Sequence, residues 1–238
     1  MNSFLFLIKG DLIRAKKYKI FAASMFMPIF WIAILELFKV YDYTNWIPLI
    51  VFVDVTIMSI IFVGAGIMFE KEEKTLMTMM VAPISKTAYF VSKIMTNLVM
   101  NISTVLVIFL YASLVREINV NLVVLILAMI VISVFHSILG FWFAMSARDF
   151  TGFLTKIMSL FLVLALPLLF EEIGFINNSI ISNLMYLLPT KAAYTLLSIE
   201  KFEIVVLFSF VYMTLLASYS FYIGVKKFDY FLMKESGV

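Results

Sequence analysis

The sequence predicts an all-α membrane protein with six transmembrane helices, an N-terminal in-plane amphipathic helix, and a re-entrant outer segment before the last helix. Three observations predict this fold class. Of the 238 residues, 64% are hydrophobic and 14% are charged, whereas soluble domains carry about a quarter charged residues. Apolar runs close to the ~20 residues that a bilayer requires recur along the chain. Polar segments separate these runs, so one transmembrane domain is expected over residues 1–238.

The first element is the segment 1–19, which we expect to be a helix that lies in the headgroup plane. Its apolar residues recur at helical spacing and its charged residues take other positions, which is typical of an interfacial amphipathic helix. The apolar set is Phe4, Leu5, Ile8, Leu12 and Ala15, and the charged set is Lys9, Asp11, Arg14, Lys16 and Lys17. The alternative is a basic flank whose only role is to orient the chain.

Six membrane spans follow the N-terminal helix. Each has close to the length that crosses a bilayer, although Lys156 and Pro167 shorten the clean apolar run of the fifth. We predict spans over 20–38, 46–69, 94–114, 122–146, 153–170 and 204–225.

The segment 171–203 is predicted to be re-entrant from the outer side. It contains two apolar pieces, 180–188 and 192–199, which Pro189 separates. Each piece is too short to cross the bilayer, so two short helices that enter the outer leaflet and return would suit them. The alternative is a loop that folds over the outer surface.

The distribution of basic residues predicts the orientation. Fourteen of the 18 lysines and arginines fall on the side that holds both termini and the loop between spans two and three. Lys39, Arg116, Lys191 and Lys201 fall on the other side. Because cytoplasmic segments of membrane proteins are enriched in basic residues, we expect a multi-pass plasma-membrane protein with cytoplasmic N- and C-termini.

The loop over 70–93 is the longest polar interruption in the first half of the chain. Its acids, Glu70, Glu72 and Glu73, are expected to be solvated beside lysines and not to be catalytic. Apolar side chains then crowd one side of a short predicted helix before a turn at Pro83; they are Leu76, Met77, Met79 and Met80. A short amphipathic helix held just outside the membrane is suited to press into a groove on another protein.

Three ionisable residues fall within the predicted spans, where lipid makes charge costly. Asp54, His136 and Glu36 are therefore candidates for a translocation path. Each has a structural alternative. Asp54 would pair with a neighbouring span, Glu36 would anchor its helix at the outer headgroups, and His136 would bond to a neighbour.

Small residues predict close packing in two of the spans. Gly64 and Gly66 lie near the cytoplasmic end of span two. Span four carries a stripe of small residues at spacings of four, three and four: Ser133, Ser137, Gly140 and Ala144. Small residues on one face let helix backbones approach closely, so we expect helix or dimer packing at these positions.

The sequence lacks the common motifs of catalysis and metal binding. It contains no cysteine and a single histidine, so it offers no thiolate site and no histidine pair for a metal. It contains no G-x-x-x-x-G-K-[ST] phosphate loop, no G-x-G-x-x-G and no H-E-x-x-H. We therefore expect no enzyme activity, no metal and no cofactor in this chain.

The residues around the 70–93 loop resemble a known family. They read Phe69-Glu70-Lys71-Glu72-Glu73-Lys74-Thr75-Leu76, then Ala82-Pro83-Ile84-Ser85, then Tyr89 and Ser92-Lys93-Ile94. This run is similar to the E-x-E-x-G-T-L, P-I-S and K pattern of ABC-2 type permeases, with Lys74 in place of the family's glycine. The small size of the chain and Leu188-Pro189-Thr190 resemble the fluoroquinolone or multidrug exporters of this family.

The resemblance implies a set of partners. The segment 70–83 would be a coupling helix docked on an ATPase subunit, and the N-terminal helix would be a connecting helix beside it. The residues implied in this contact are Glu70, Glu72, Glu73, Thr75, Leu76 and Pro83. Two ATPase subunits, which bind ATP and Mg, would power a pore made by two permease chains, alike or different, in the lipid bilayer. No nucleic acid is expected as a partner.

The resulting hypothesis is a permease that exports a hydrophobic or amphipathic drug or peptide, driven by ATP hydrolysis in another chain. Two alternatives stay open. One is an ion- or proton-coupled transporter in which Asp54, His136 and Glu36 titrate, and it requires export without any ATPase. The other is a membrane scaffold or sensor subunit that transports nothing.

Overall fold

The computed structural model describes residues 3–41, 43–77, 85–116, 118–199 and 203–235. Over these ranges the chain is α-helical, with no strand. Within the described ranges, six helices are long and apolar enough to cross a membrane, which confirms an all-α membrane protein with six spans. The helices are α1 Ser3–Lys17, α2 Ile20–Leu37, α3 Tyr43–Glu72, α4 Lys86–Val115, α5 Leu122–Ser146, α6 Phe150–Glu172, α7 Ser179–Met185, α8 Pro189–Leu197 and α9 Ile204–Glu235.

Polar side chains cap the starts of α4, α5 and α6. Ser85, Asn121 and Asp149 each accept a hydrogen bond from a backbone N–H of the following turn, at 3.1, 3.0 and 2.7 Å respectively. A side-chain oxygen at this position satisfies an N–H that the first helical turn leaves without a partner. These three residues therefore define where the helices begin.

The helices around the 70–93 loop extend further than hydropathy predicts. α3 ends at Glu72 and α4 begins at Lys86, so the connecting segment is 73–85. The predicted loop boundaries were wrong at both ends because Glu70 and Lys93, which were expected in solvent, pair inside the bundle. The described part of this segment contains one 3₁₀ turn, Thr75–Met77.

α3 is the centre of the bundle. α4, α5, α6 and α8 pack along it, and α9 covers α5 and α8 on the outside. Val51, Phe52 and Ile67 of α3 are fully buried. By contrast, Phe208 of α9 is half exposed and Ile29 of α2 is 61% exposed, as is typical of helices that border lipid.

Small residues allow α3 and α5 to approach closely. Four of them on α5 are buried: Ser133, Ser137, Gly140 and Ala144. A Cβ added at Gly140 would meet the carbonyl oxygen of Ile60 at 2.5 Å, and one at Gly64 would meet the ring of Phe153 at 2.1 Å. A Cβ at Gly66 would meet nothing closer than 3.9 Å. The packing therefore requires glycine at two of the three positions and does not require it at Gly66.

α6 is irregular in its middle. A π-helical turn, Phe161–Ala165, lies between its two α-helical parts, and such a turn interrupts the regular hydrogen bonds of a helix. Thr190, at the start of α8, donates a hydrogen bond to the carbonyl oxygen of Leu164 in this turn (2.6 Å). α8 therefore braces α6 at its irregular point.

α7 and α8 occupy the segment for which two short helices were predicted. They have 7 and 9 residues, which is too short to cross a bilayer. Their insertion into the outer leaflet stays a prediction, as does the position of α1 in the membrane plane.

Candidate coupling site

One end of the bundle, named the basic end, is formed by the last turns of α1, α3 and α5 and the first turns of α4 and α6. Aromatic rings join these elements. The ring of Phe69 lies 4.8 Å from that of Tyr18 and 6.3 Å from that of Phe150. Tyr89 stacks on Phe228 of α9 at 5.3 Å. The opposite end, named the far end, carries the connections from α2 to α3 and from α4 to α5.

Four charged side chains, named the charge cluster, meet at the basic end: Asp11 and Arg14 of α1, Glu70 of α3 and Lys93 of α4. Lys93 Nζ lies 2.7 Å from Asp11 Oδ1 and also contacts the carboxylate of Glu70. The guanidinium of Arg14 lies 2.6 Å from Asp11 and 3.1 Å from Glu70. Two cations and two carboxylates balance, so the cluster ties three helices together without net charge.

Three of the four members of the charge cluster are buried, and Arg14 is partly exposed. Asp11, Glu70 and Lys93 are 4%, 3% and 7% exposed. Ser92 donates a hydrogen bond to Asp11 (2.6 Å), and Tyr89 donates one to Glu70. Buried ions are tolerated when they are paired and hydrogen-bonded, and removing one partner leaves an uncompensated charge. The cluster therefore acts as a rigid junction between α1, α3 and α4.

The pKa of the Asp11 carboxyl is lowered from its ordinary value of 3.8. Burial acts to raise this pKa, but the charge of Lys93 and hydrogen bonds from Lys93, Ser92 and Arg14 outweigh burial. Because the pKa is lower in the folded than in the unfolded protein, ionised Asp11 stabilises the fold at neutral pH. This stabilisation is lost as the pH falls through the folded-state pKa.

We therefore expect the free energy of unfolding to fall steeply below about pH 4 in the unmodified protein. The Asp11→Asn variant should be less stable at neutral pH and should lose less stability on acidification. Denaturant unfolding in mixed micelles between about pH 7 and pH 3 measures both profiles. If the free energy of unfolding decreased equally with falling pH in the two proteins, this would contradict an ionised, paired Asp11.

The structure divides the predicted coupling residues into two groups. Glu70 and Leu76 are each only 3% exposed, so the expectation of three solvated acids is wrong for Glu70, and Leu76 packs inside this chain. The reason is that the end of α3 stays packed against α1 and α4. The Thr75 hydroxyl donates to the Glu70 carbonyl oxygen (3.2 Å). Pro83 lies outside the described residues, and contact of any of these residues with an ATPase stays a prediction.

Glu72 and Glu73 are the exposed acids of this region. Lys17 Nζ and the Tyr18 hydroxyl donate to the carboxylate of Glu73, at 2.7 and 2.6 Å. The hydrogen bond from Lys17, together with that from Tyr18, lowers the pKa of Glu73. Glu73, the first residue after α3, is thus fastened to the end of α1 and to Tyr18, which follows α1.

Lys71 fastens the end of α3 to α5. Its Nζ donates to the carbonyl oxygens of Ala144 (3.2 Å) and Ala147 (2.9 Å). These carbonyls belong to the end of α5, where backbone acceptors lack helical partners and the helix dipole is negative. Lys71 therefore stabilises the end of α5 and joins it to the end of α3.

Polar side chains continue from the charge cluster into the bundle. This polar seam consists of Asn97 and Asn101 of α4, Ser59 of α3, and Ser133 and Ser137 of α5. Asn97 donates to Ser133 (3.1 Å) and Ser137 (2.9 Å), and Asn101 donates to Ser59 (2.8 Å) and Ser133 (2.7 Å). The seam joins the three central helices inside the apolar part of the bundle.

One amide atom of each asparagine in the seam has no protein partner among the described residues. The Oδ1 atoms of Asn97 and Asn101 are buried and unpaired, and exchanging oxygen and nitrogen would leave a nitrogen unpaired instead. Asn97 and Thr96 border a cavity of about 30 Å³ beneath the charge cluster. A cavity of this size and polarity accommodates a buried water molecule.

The three candidate path residues have separate local partners. Asp54 is 2% exposed and accepts a hydrogen bond from Trp31 Nε1 (2.8 Å). Glu36 is exposed at the far end, where two tyrosine hydroxyls donate to its carboxylate. His136 Nδ1 lies 2.8 Å from the carbonyl oxygen of Ile132, so this nitrogen carries the proton. Asp54 and His136 make the kind of contact that their structural alternatives predict. The headgroup contact of Glu36 and a role of any of the three residues in a path stay predictions.

The geometry of the basic end offers a mechanical junction. The segment 73–85 leaves α3 and returns into α4, and both helices are fixed to α1 by the charge cluster. Over the residues that the structure describes, no group of three histidine, aspartate or glutamate side chains is placed to hold a metal ion. A force on 73–85 would reach α1, α3 and α4 together.

The family model described as "ABC-2 type transporter" matches residues 2–170, which is more than half of the 238-residue chain. The chain belongs to the ABC-2 type transporter family. It is also similar to the fluoroquinolones export permease proteins of two Mycobacterium tuberculosis strains, CDC 1551 and H37Rv, with 24% identity over 182 residues. The alignment covers 76% of this chain and 73% of each relative.

Membership of the ABC-2 family confirms the resemblance that was drawn from the residues around 70–93. Together with six membrane-length helices, it establishes a multi-pass membrane protein and the transport subunit of an ABC exporter, for which the family implies an ABC ATPase partner. The orientation of the termini stays a prediction.

Sequence reasoning missed the polar stripe of this ABC-2 permease. Lys93, Asn97 and Asn101 recur every four residues at the start of a largely apolar helix. Residues four apart share one face of a helix, and polar side chains within a membrane span turn towards the protein interior. This four-residue spacing could have predicted that one face of α4 turns inward and carries both Lys93 of the charge cluster and the two asparagines of the polar seam.

Proposed function

We propose that this ABC-2 permease is the membrane subunit of an ATP-driven exporter that moves a hydrophobic or amphipathic drug or peptide out of the cell. ATP, with Mg, would be hydrolysed in a separate ATPase subunit. The observation that carries the proposal is the charge cluster, which joins to α1 the two helices that flank the segment 73–85. The names of the mycobacterial relatives support export as the direction and a drug as the substrate.

The proposed cycle transmits force by rigid contact. Two ATPase subunits close on ATP, and each moves the segment 73–85 that it holds. Because this segment is continuous with α3 and α4, and the charge cluster fixes both helices to α1, the three helices tilt as one body. A substrate held between two permease chains, alike or different, is then released at the far end.

Glu72 provides a test of docking that leaves the core intact, because it is exposed at the last residue of α3. Glu72→Lys is expected to reduce stimulation of the partner ATPase by at least about 10-fold, since a reversed charge at an interface opposes association. The melting temperature of the permease should not change. The measurement is the ATPase rate of the co-purified complex in lipid nanodiscs.

Glu203→Lys is the matched control, because it reverses an exposed charge at the far end, just before α9. It should keep the stimulation of the unmodified protein. Unchanged stimulation in Glu72→Lys, or an equal loss in both variants, would count against docking through the segment 73–85.

The two alternative functions make different predictions for sealed vesicles. An ion- or proton-coupled transporter would move its substrate without nucleotide and stop when a protonophore collapses the gradient. A scaffold or sensor would move nothing. Uphill transport that requires both ATP and the ATPase subunit is the result expected for the exporter, and transport by the purified permease alone would overturn it.

A further inference from the structure

Two cavities at the far end share a wall. The polar chamber has a volume of about 300 Å³ and lies between the first turns of α3 and α5, the end of α6, and α8. The apolar groove has a volume of about 420 Å³ and lies between α2, α3 and α6. Trp46 and Leu49 of α3 line both, so the two cavities are adjacent parts of one surface.

The apolar groove is lined by hydrophobic side chains throughout. Its walls include Trp31 of α2, Val53 of α3 and Leu169 of α6, and Phe38 lies at its edge with 78% of its surface exposed. Such a lining favours an alkyl or aromatic group, because transfer of apolar surface out of water is favourable. The groove belongs to spans one, two and five.

Among the residues that the structure describes, the neighbours of the polar chamber do not balance its negative charge. Glu172 is the charged residue among the described residues that line the chamber. Lys191 Nζ lies 3.3 Å from Glu172 but 2.8 Å from Glu171, so two carboxylates share one ammonium. Trp46 and Tyr194 also line the chamber, and aromatic side chains near a carboxylate are suited to an organic cation.

We propose that the polar chamber and the apolar groove together bind an amphipathic organic cation. Its charged group would lie beside Glu172, and its apolar part would extend past Trp46 and Leu49 into the groove. The carboxylate of Glu172 would repel an anion. A purely apolar molecule would bind only in the groove. The inference rests on the proposed export function, since it names the chemical class of the exported substrate.

Three probes that share a hexyl chain and differ in the charge of the head group test the proposal: hexyltrimethylammonium, hexanesulfonate and hexanol. The full chain is placed in lipid nanodiscs without ATPase and titrated, with empty nanodiscs as the background. Tryptophan fluorescence reports binding, because Trp46 lines both cavities and Trp31 lines the groove. The cation is expected to bind at least about 10-fold more tightly than the anion. Equal or tighter binding of the anion would overturn the proposal.

Variants separate the two halves of the site. Glu172→Gln should weaken binding of the cation by roughly 5-fold and leave hexanol unchanged, and Lys191 keeps its pair with Glu171 in this variant. Leu169→Ala should weaken both probes, and Glu72→Gln, an exposed position at the basic end, should weaken neither. Unchanged cation binding in Glu172→Gln would overturn the assignment of the charged half. The comparison of cation and anion on the unmodified protein needs no variant.

The failure of this site and the failure of the exporter function are distinguishable. The binding titration contains no ATPase, so absence of cation binding would remove the site and leave ATPase stimulation untouched. Loss of the expected difference between Glu72→Lys and Glu203→Lys would remove the coupling assignment while binding of the cation persisted.

Discussion

Replacing Lys93 by methionine is expected to destabilise the protein by about 3–5 kcal/mol. Lys93 Nζ pairs with the carboxylates of both Asp11 and Glu70, and methionine fills similar space without a charge. Two buried carboxylates would then share Arg14 alone, at positions where they are 4% and 3% exposed. The measurement is the free energy of unfolding at neutral pH in mixed micelles.

Two further variants separate the loss of charge from the loss of packing. Lys9→Met changes an exposed lysine on α1 and should stay within about 0.5 kcal/mol of the unmodified protein. Lys93→Met combined with Glu70→Gln restores the balance of charge, with Arg14 still 2.6 Å from Asp11, and should recover part of the stability. Equal stability of Lys93→Met and Lys9→Met would contradict the charge cluster as a junction.

The candidate site was only partly predictable because its pairs are distant in sequence. Glu70 and Lys93 lie 23 positions apart, and Asp11 and Lys93 lie 82 apart. Hydropathy placed Glu70 and Lys93 at the two edges of one solvated segment. Whether they face water or each other depends on how far α3 and α4 extend beyond the lipid and on where α1 lies. Local composition does not encode how far these two helices extend or where α1 lies.

The spans were predictable because a bilayer imposes a minimum apolar length on each one. Features that depend on contact with a neighbouring helix were not predictable. Pro167 indicated only a shorter apolar run in the fifth span. The π-helical turn at Phe161–Ala165, which Thr190 braces from another helix, was not predicted. Gly66 and Gly140 likewise look equivalent in sequence, and only the atoms opposite each glycine distinguish them.

Gly140→Ala is expected to destabilise the protein by about 1–3 kcal/mol. A Cβ at this position would meet the carbonyl oxygen of Ile60 at 2.5 Å and its Cα at 2.9 Å. Both atoms belong to the backbone of α3, so no side-chain rotation relieves the overlap and the two helices must separate. Separation would also stretch the contact between Ser59 and Ser133, now 3.2 Å, in the polar seam.

Gly66→Ala is the matched control, because the same substitution in the same bundle should have the opposite sign. The nearest neighbour of a Cβ at Gly66, the Cδ1 atom of Ile20, lies at 3.9 Å, which is ordinary van der Waals contact. Alanine favours a helix over glycine by about 1 kcal/mol, so Gly66→Ala should leave the free energy of unfolding unchanged or raise it. An equal loss in both variants would mean that backbone contact at Ile60 does not limit how closely α3 and α5 pack.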